Sequence, residues 1–442
     1  MSEFLQADLT WRNRRFVPNV VVEVDDTGRI ATVAENAVTE GETEDRRSSP
    51  PLRRLSGKAL LPGFVNAHSH AFQRGLRGRG ETFPAGAGSF WTWREAMYGL
   101  VDELDEAAVA ALSRQAFAEM RAAGITTVGE FHYLHHQDAE ARDFRFDGAV
   151  LRAAAEVGIR IVLLQACYAA GGVGKALAGG QKRFATPSLD EYWRQMDELS
   201  EWTAGQPDQT LGVVAHSLRA VPPKMLRELH RQARHRGLVL HMHLEEQRQE
   251  IAEVEAAWGA RPMELLLGEL ELDSRFTAVH CTHSDPGDLE RFLATGAHVC
   301  VCPLTEANLG DGLPPLGEES AGSLCLGTDS NARISMLEEA RWLEYGQRLR
   351  GARRGALRDG DGAIAPNLLA AATRGGAEAL GLAAGEIAAG RWADFALVDL
   401  EHPSLAGADA DILAAALLCG SDNQALAATC VGGRWTHLEQ DR

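Results

Sequence analysis

Two histidines one residue apart, His68 and His70, close an apolar run over residues 59–70. Side chains alternate along a strand, so both imidazoles face the same way if that run is extended. On spacing alone the pair is as readily two surface histidines as half a metal site. A third imidazole, His243, stands in the run 238–246, and Glu246 closes it three residues later. His241 shares its parity but lies deeper, and is read as a hydrogen-bonded core histidine. His280 stands in the run 276–283 and Asp329 near the end of 324–330. A carboxylate at the end of a buried strand is costly unless it is paired or bound to a metal. Its other reading is a helix cap before residues 334–347. Taken together, His68, His70, His243 and Asp329 make a three-nitrogen, one-oxygen ligand set. That set suits zinc, with iron(II) or manganese as alternatives. The chain has only four lysines (Lys58, Lys175, Lys182 and Lys224), and none ends the fourth apolar run, which reads His216-Ser217-Leu218-Arg219. No bridging lysine for a second metal is available there, so one ion per subunit is expected.

A single zinc with an open position brings the pKa of its water to about 7. Attack on an sp2 carbon then needs a base for the water's proton and an acid for the leaving nitrogen. Asp329 is the natural base, His280 can hold the water and steady the developing charge, and Glu246 can reach the departing nitrogen. The chemistry expected is hydrolytic release of ammonia or a related C–N cleavage.

These residues need a frame that puts strand ends together. Between residues 58 and 335 eight apolar runs (59–70, 126–135, 160–169, 210–220, 238–246, 276–283, 298–304 and 324–330) alternate with mostly helical patterns. Residues 105–123 carry an apolar stripe that stops at Gly124. Residues 222–236 open on proline, and Asp285 precedes Pro286 as a helix cap. Eight such alternations predict an α/β fold, a TIM-like (β/α)8 barrel, whose chemistry sits at the C-terminal strand ends. Strand signals return at both ends. Residues 19–24 and 30–33 flank an Asp25-Asp26-Thr27-Gly28 turn, and 393–400 and 426–435 are β-rich. We therefore expect a small β-sandwich domain from residues 1–57 and 385–442, a barrel over 58–384, and an exposed loop at 39–51.

The 442 residues carry a formal charge of −18, with 45% hydrophobic and 24% charged residues. That balance excludes wholesale disorder. The acidity argues against nucleic acid or an anionic membrane as partner, and requires local arginines for any anionic substrate. The seven cysteines sit mostly in apolar segments, as reduced core thiols do, and a Cys300/Cys302 metal site is not expected. No signal peptide and no apolar run of about 20 residues is seen, so a cytoplasmic location is expected.

The stretch from Pro62 to His70 and the Gly327-Thr328-Asp329 end resemble the amidohydrolase superfamily in its mononuclear deaminase branch. Further segments are similar to those of its formimidoylglutamate deiminase family. They are His68-Ser69-His70-Ala71-Phe72-Gln73-Arg74, Phe90-Trp91-Thr92-Trp93-Arg94, Glu130-Phe131-His132-Tyr133-Leu134-His135-His136, His216-Ser217-Leu218-Arg219, Cys302 through Leu309, and Asp329-Ser330-Asn331. The resemblance implies zinc at His68, His70, His243 and Asp329. It implies acid–base work by Glu246, His280 and Asp329, and substrate binding by Gln73, Arg94, Tyr133, His216 and Arg219, with Ser330 nearby. It also implies a homodimer and a small dicarboxylate amidine substrate, converted to N-formyl-L-glutamate and ammonia. Two carboxylates match two arginine forks, Arg94 and Arg219. Guanine deamination and s-triazine hydrolysis are the enzymatic alternatives, and a non-catalytic barrel module is the third. By parity with Tyr133, His135 is expected at the site, while His132 and His136 point away. The loop 75–88 is a candidate lid, with Arg77 and Arg79 facing water. Glu245, where the family has a small residue, shares the face of His243 and could raise the pKa of Glu246.

Overall fold

The computed structural model describes residues 2–35, 52–83 and 90–436. The 39–51 loop and the 84–88 part of the expected lid lie outside the described residues. Eight parallel strands pair strictly in chain order: Phe64–Ser69, Ile125–His132, Arg160–Cys167, Gln209–Ala215, Leu240–Leu244, Phe276–His280, His298–Val301 and Leu324–Leu326. Every residue of the first three, the fifth and the sixth is buried, as in a sheet covered on both faces. Helices cover the outside. Glu106–Ala122 starts where the Asp105 carboxylate accepts the Ala108 N–H at 2.8 Å, and it buries Val109, Ala116, Phe117 and Met120. Pro286–Leu293 starts the same way on Asp285 and buries Leu289 and Phe292.

The sheet closes into a barrel where its first and last strands meet, at a parallel bridge between Ser69 and Asp329. His70 N–H donates to the Asp329 carbonyl at 2.9 Å, and the N–H groups of Thr328 and Asp329 both donate to the His68 carbonyl at 3.0 Å. Side chains stitch the same seam. Asn66 Nδ2 donates to Thr328 Oγ1 at 2.7 Å, Thr328 Oγ1 donates to Asn331 Oδ1 at 2.7 Å, and Asn331 Nδ2 donates to Ser69 Oγ at 3.1 Å. A Cβ on Gly327 would stand 2.6 Å from that of His68, so only glycine lets the strands approach this closely.

Both chain ends join in a second, mixed sheet of eight strands, seven on one hydrogen-bonded path and the eighth, Arg15–Val17, paired beside it with Glu3–Arg12. Leu52–Pro62 runs between Glu3–Arg12 and Phe395–Asp399, and Leu426–Val431 follows. The single run read over 59–70 is thus two strands in two sheets, broken at Gly63, where a Cβ would strike Thr126 at 2.2 Å. Arg160, at the start of the third barrel strand, ties the sheets together. It grips Asp394 through two bonds of 3.0 and 3.1 Å, both side chains being 1% exposed, and lies 4.0 Å from the Trp392 ring centre. Among the described residues no helix is long and apolar enough to cross a membrane.

Removing one partner of a buried ion pair strands the other charge, at about 3–5 kcal/mol. Asp394→Ala is therefore expected to lower unfolding stability by about that amount. A urea titration reads it as a fall in midpoint at unchanged slope. A shift below about 1 kcal/mol would show that the pair does not couple the two sheets.

Candidate active site

The ligand set expected from sequence converges at the barrel seam. His68 Nε2 lies 3.2 Å from His243 Nε2 and 3.6 Å from Asp329 Oδ1, and His70 Nε2 lies 3.3 Å from the same oxygen. His68, His70 and His243 form one group whose ligand atoms all fall within 4.8 Å of each other, and His68, His280 and Asp329 form a second. Burial, reinforced by neighbouring imidazoles, holds His68 and His243 well below the usual histidine range. Burial and His68 bring His70 down to about 3. All three rings are therefore neutral near pH 7, with a lone pair available. For His70 the choice of nitrogen is fixed, because Nδ1 donates to the Phe131 carbonyl at 2.8 Å and leaves Nε2 facing the cluster. Two imidazole nitrogens 3.2 Å apart beside a carboxylate, nearly all of it out of water, make a donor set that fits a divalent cation.

His280 stands on the other side of Asp329, with Nε2 3.8 Å from Oδ2 and 4.0 Å from Glu246 Oε1. Burial alone would lower its pKa. Glu246, Glu306 and Asp329 outweigh burial and push it up to about 10. Glu306 supports the ring from behind, with Oε1 3.4 Å from Nδ1 while it also accepts the Cys302 N–H at 3.1 Å. Glu246 Oε2 takes a bond from Arg219 Nη2 at 3.3 Å.

A cavity opens over this cluster and is lined by His70, Gln73, Arg94, Tyr133, His216, Arg219, His243, Glu246, His280 and Asp329. Gln73 Nε2 donates to the Tyr133 hydroxyl at 2.6 Å, and His216 Nδ1 contacts Ser217 Oγ at 3.2 Å. Of the ligand, acid–base and substrate-binding residues that the resemblance implied, His68 and Ser330 do not line it. His68 forms the floor of the cluster. Ser330 is turned behind Asp329 to Thr305, 3.2 Å away, and so does not reach the cavity.

Other expectations are corrected. His135 is buried away from the site, with Nδ1 3.0 Å from Asp147 and Nε2 2.9 Å from the Ala166 carbonyl. Parity fails for it because the strand ends at His132. Glu245 also leaves the face of His243. Its backbone turns left-handed at φ +52°, and its Oε1 accepts the Met263 N–H at 3.3 Å, beside Arg261. Arg77 is not simply solvated, since it donates to the Asn331 carbonyl at 2.7 Å and pairs with Glu119 at 2.9 Å. His241 is the core histidine expected, with Nε2 2.9 Å from the Ala379 carbonyl.

Sequence reasoning assigned no role to Glu306 or to the aromatic wall of Trp93, Tyr98, Tyr168 and Phe184. Phe131 was also missed. It stacks on His243 at a centroid distance of 4.2 Å, and its carbonyl orients His70. The motif strings held several of these residues, but no spacing rule marked them.

A family model described as the amidohydrolase family matches residues 59–436. The chain is 38% identical over 426 residues to formimidoylglutamate deiminase of Pseudomonas aeruginosa, covering 94% of this chain and 90% of the relative. It is 28% identical to 5-methylthioadenosine/S-adenosylhomocysteine deaminase of Natronomonas pharaonis, over 87% of this chain and 81% of that one. The crystal structure of an amidohydrolase from Brucella melitensis superposes with a TM-score of 0.86 at 30% identity, covering 98% of this chain and 94% of that chain.

Metal-free protein titrated with a divalent metal is expected to saturate near one ion per chain, because the two ligand-atom groups share His68 and so surround a single place. His243→Ala and Asp329→Ala should each weaken retention by more than about tenfold, since even outer partners of such sites account for that much. Plasma mass spectrometry after competition with a chelator measures it. Two ions per chain, or unchanged retention in both variants, would contradict the assignment.

Proposed function

The chain belongs to the amidohydrolase family, and on that premise we propose that it hydrolyses N-formimidoyl-L-glutamate to N-formyl-L-glutamate and ammonia. In this reading His68, His70, His243 and Asp329 hold one zinc ion per subunit. One observation carries the substrate: a chain of net charge −18 places two arginines, Arg94 and Arg219, in the same cavity as the histidine–aspartate cluster. The global field repels anions, so two cations facing a reaction centre serve anionic groups on what binds there. The 38%-identical relative named for formimidoylglutamate supports the same choice.

A zinc ion so held supplies Lewis acidity and a water ionised near neutral pH. Asp329, at the rim of the cluster and 3.8 Å from His280, accepts a proton from the attacking water. His280, cationic between Glu246, Glu306 and Asp329, faces the charge that develops as the water oxygen bonds to the amidine carbon. Glu246 lies between that centre and Arg219 and carries the water's second proton to the departing nitrogen, to which Asp329 yields the first. The C–N bond then breaks, ammonia leaves, and the carbon keeps the water oxygen as a formyl group. Arg219 and Arg94 anchor the two carboxylates and so hold the reacting carbon in line. Their anchoring also selects against neutral substrates.

The aromatic wall of Trp93, Tyr98, Tyr133, Tyr168 and Phe184 makes a planar aminated heterocycle the competing substrate. Ammonia release from formimidoylglutamate, guanine and formylglutamate separates the readings, and only the first is expected to react. Losing a buried charge partner costs about 2–5 kcal/mol. At about 1.4 kcal/mol per tenfold, Arg219→Ala should lower kcat/KM for formimidoylglutamate at least about 30-fold. Unchanged turnover in that variant would show that the substrate is not the dicarboxylate.

A further inference from the structure

Tyr98 lines the cavity beside Arg94, and the bonding around its hydroxyl is unusual. Gln181, in the short helical turn Gly179–Phe184, reaches it from behind. Gln181 Oε1 accepts the Ala178 N–H at 3.2 Å, and Nε2 donates to the Gly171 carbonyl at 3.2 Å. A donor on one side and a carbonyl on the other fix which end of the amide is nitrogen. The second hydrogen of that nitrogen goes to the Tyr98 oxygen at 2.9 Å. A Cβ on Gly171 would lie 2.6 Å from Gln181 Oε1, so the glycine is what admits the amide to this position. From the opposite side Arg94 Nε donates to the same oxygen at 2.8 Å.

Both of these partners can only donate here, so the Tyr98 oxygen accepts twice and both its lone pairs are used. Among the described residues no acceptor takes its own proton. The remaining direction is the cavity. We propose that Tyr98 is a specificity-determining residue whose hydroxyl donates to a substrate carboxylate in the subsite it shares with Arg94. Gln181 is the positioning residue that turns the proton that way. This rests on reading the substrate as a dicarboxylate and deepens that reading. The carboxylate receives a neutral O–H donor together with the guanidinium, and a neutral isostere lacking the charge gains little from either.

Two variants and one added ligand test it. Tyr98→Phe deletes the donor at nearly constant shape. Gln181→Glu keeps the tyrosine but replaces the amide donor with an acceptor that draws the phenol proton away from the cavity, leaving the Arg94 bond in place. A hydrogen bond to a charged group corresponds to about tenfold or more in affinity. Each variant is therefore expected to raise KM for formimidoylglutamate about tenfold or more with kcat changed less than about threefold. Each should weaken the binding of glutarate, a bare dicarboxylate, by a similar factor in calorimetry on the metal-loaded enzyme. Combining the two should add nothing further, because both remove the same bond. A purely structural role for Gln181 would instead give additive losses. If the wild type fails to release ammonia from formimidoylglutamate, the substrate reading falls while the glutarate titration still decides the role of Tyr98. Equal glutarate affinity in wild type and Tyr98→Phe overturns the proposal.

Discussion

The contact between Ser69 and Asp329 closes the barrel, and the chemistry depends on it. Residues from the first and last strands, about 260 positions apart in the chain, pair there as neighbours. His68 and His70 come from one side of that seam and Asp329 from the other, so closing the barrel and bringing these three side chains together are one event. The stitch of Asn66, Thr328, Asn331 and Ser69 fills the hydrogen-bonding capacity of a region with almost no solvent. Each such group left unpaired there would cost about 1–3 kcal/mol. The seam is thereby held in one register, and a register error would move the ligands to the wrong face.

Charge is sorted across the cavity. On the floor, burial keeps His68, His70 and His243 neutral, which is the state a metal ligand must have. Around that floor Asp329, Glu246 and Glu306 surround His280 and keep it cationic. Arg219, paired with Glu246, stands at the edge of that acidic ring. The same carboxylate thus faces an imidazolium on one side and a guanidinium on the other. A displacement of Arg219 would therefore be felt at His280 through their shared carboxylate.

The eight strands and the histidine–aspartate cluster were legible because they obey simple periods: apolar runs of strand length, and polar residues at their ends. Reading failed where that period stopped. Alternation was extended past His132 to His135, although the chain had already left the sheet to bind Asp147. It was extended to Glu245, where a left-handed backbone rotates the side chain to the start of the helix Pro262–Glu269. Glu306 sits in the short helix Pro303–Leu309, where a glutamate in sequence reads as a solvated face, yet it is fully buried behind His280. Tyr98 and Gln181 come from different connections around the barrel, and no local pattern joins them.

The left-handed residues at the barrel mouth explain how so many functional side chains fit at strand ends. Glu245, His280, Cys281, Asp329 and Asn331 all have positive φ. For residues with a Cβ this conformation costs of order 1–3 kcal/mol each, so surrounding bonds must over-determine it. They do: Cys281 N–H donates to the Leu244 carbonyl at 3.0 Å, His283 N–H donates to that of Glu245 at 3.0 Å, and the Asp329 backbone is pinned to His68 and His70. A regular strand end would offer only every second residue to the cavity. Breaking the alternation re-aims successive side chains, so His280 and Asp329 both turn toward the cluster while Glu245 turns away. Strain at the mouth is therefore the means by which a sheet of fixed two-residue period presents an irregular constellation, and the pairing of the first and last strands is what makes that strain tolerable.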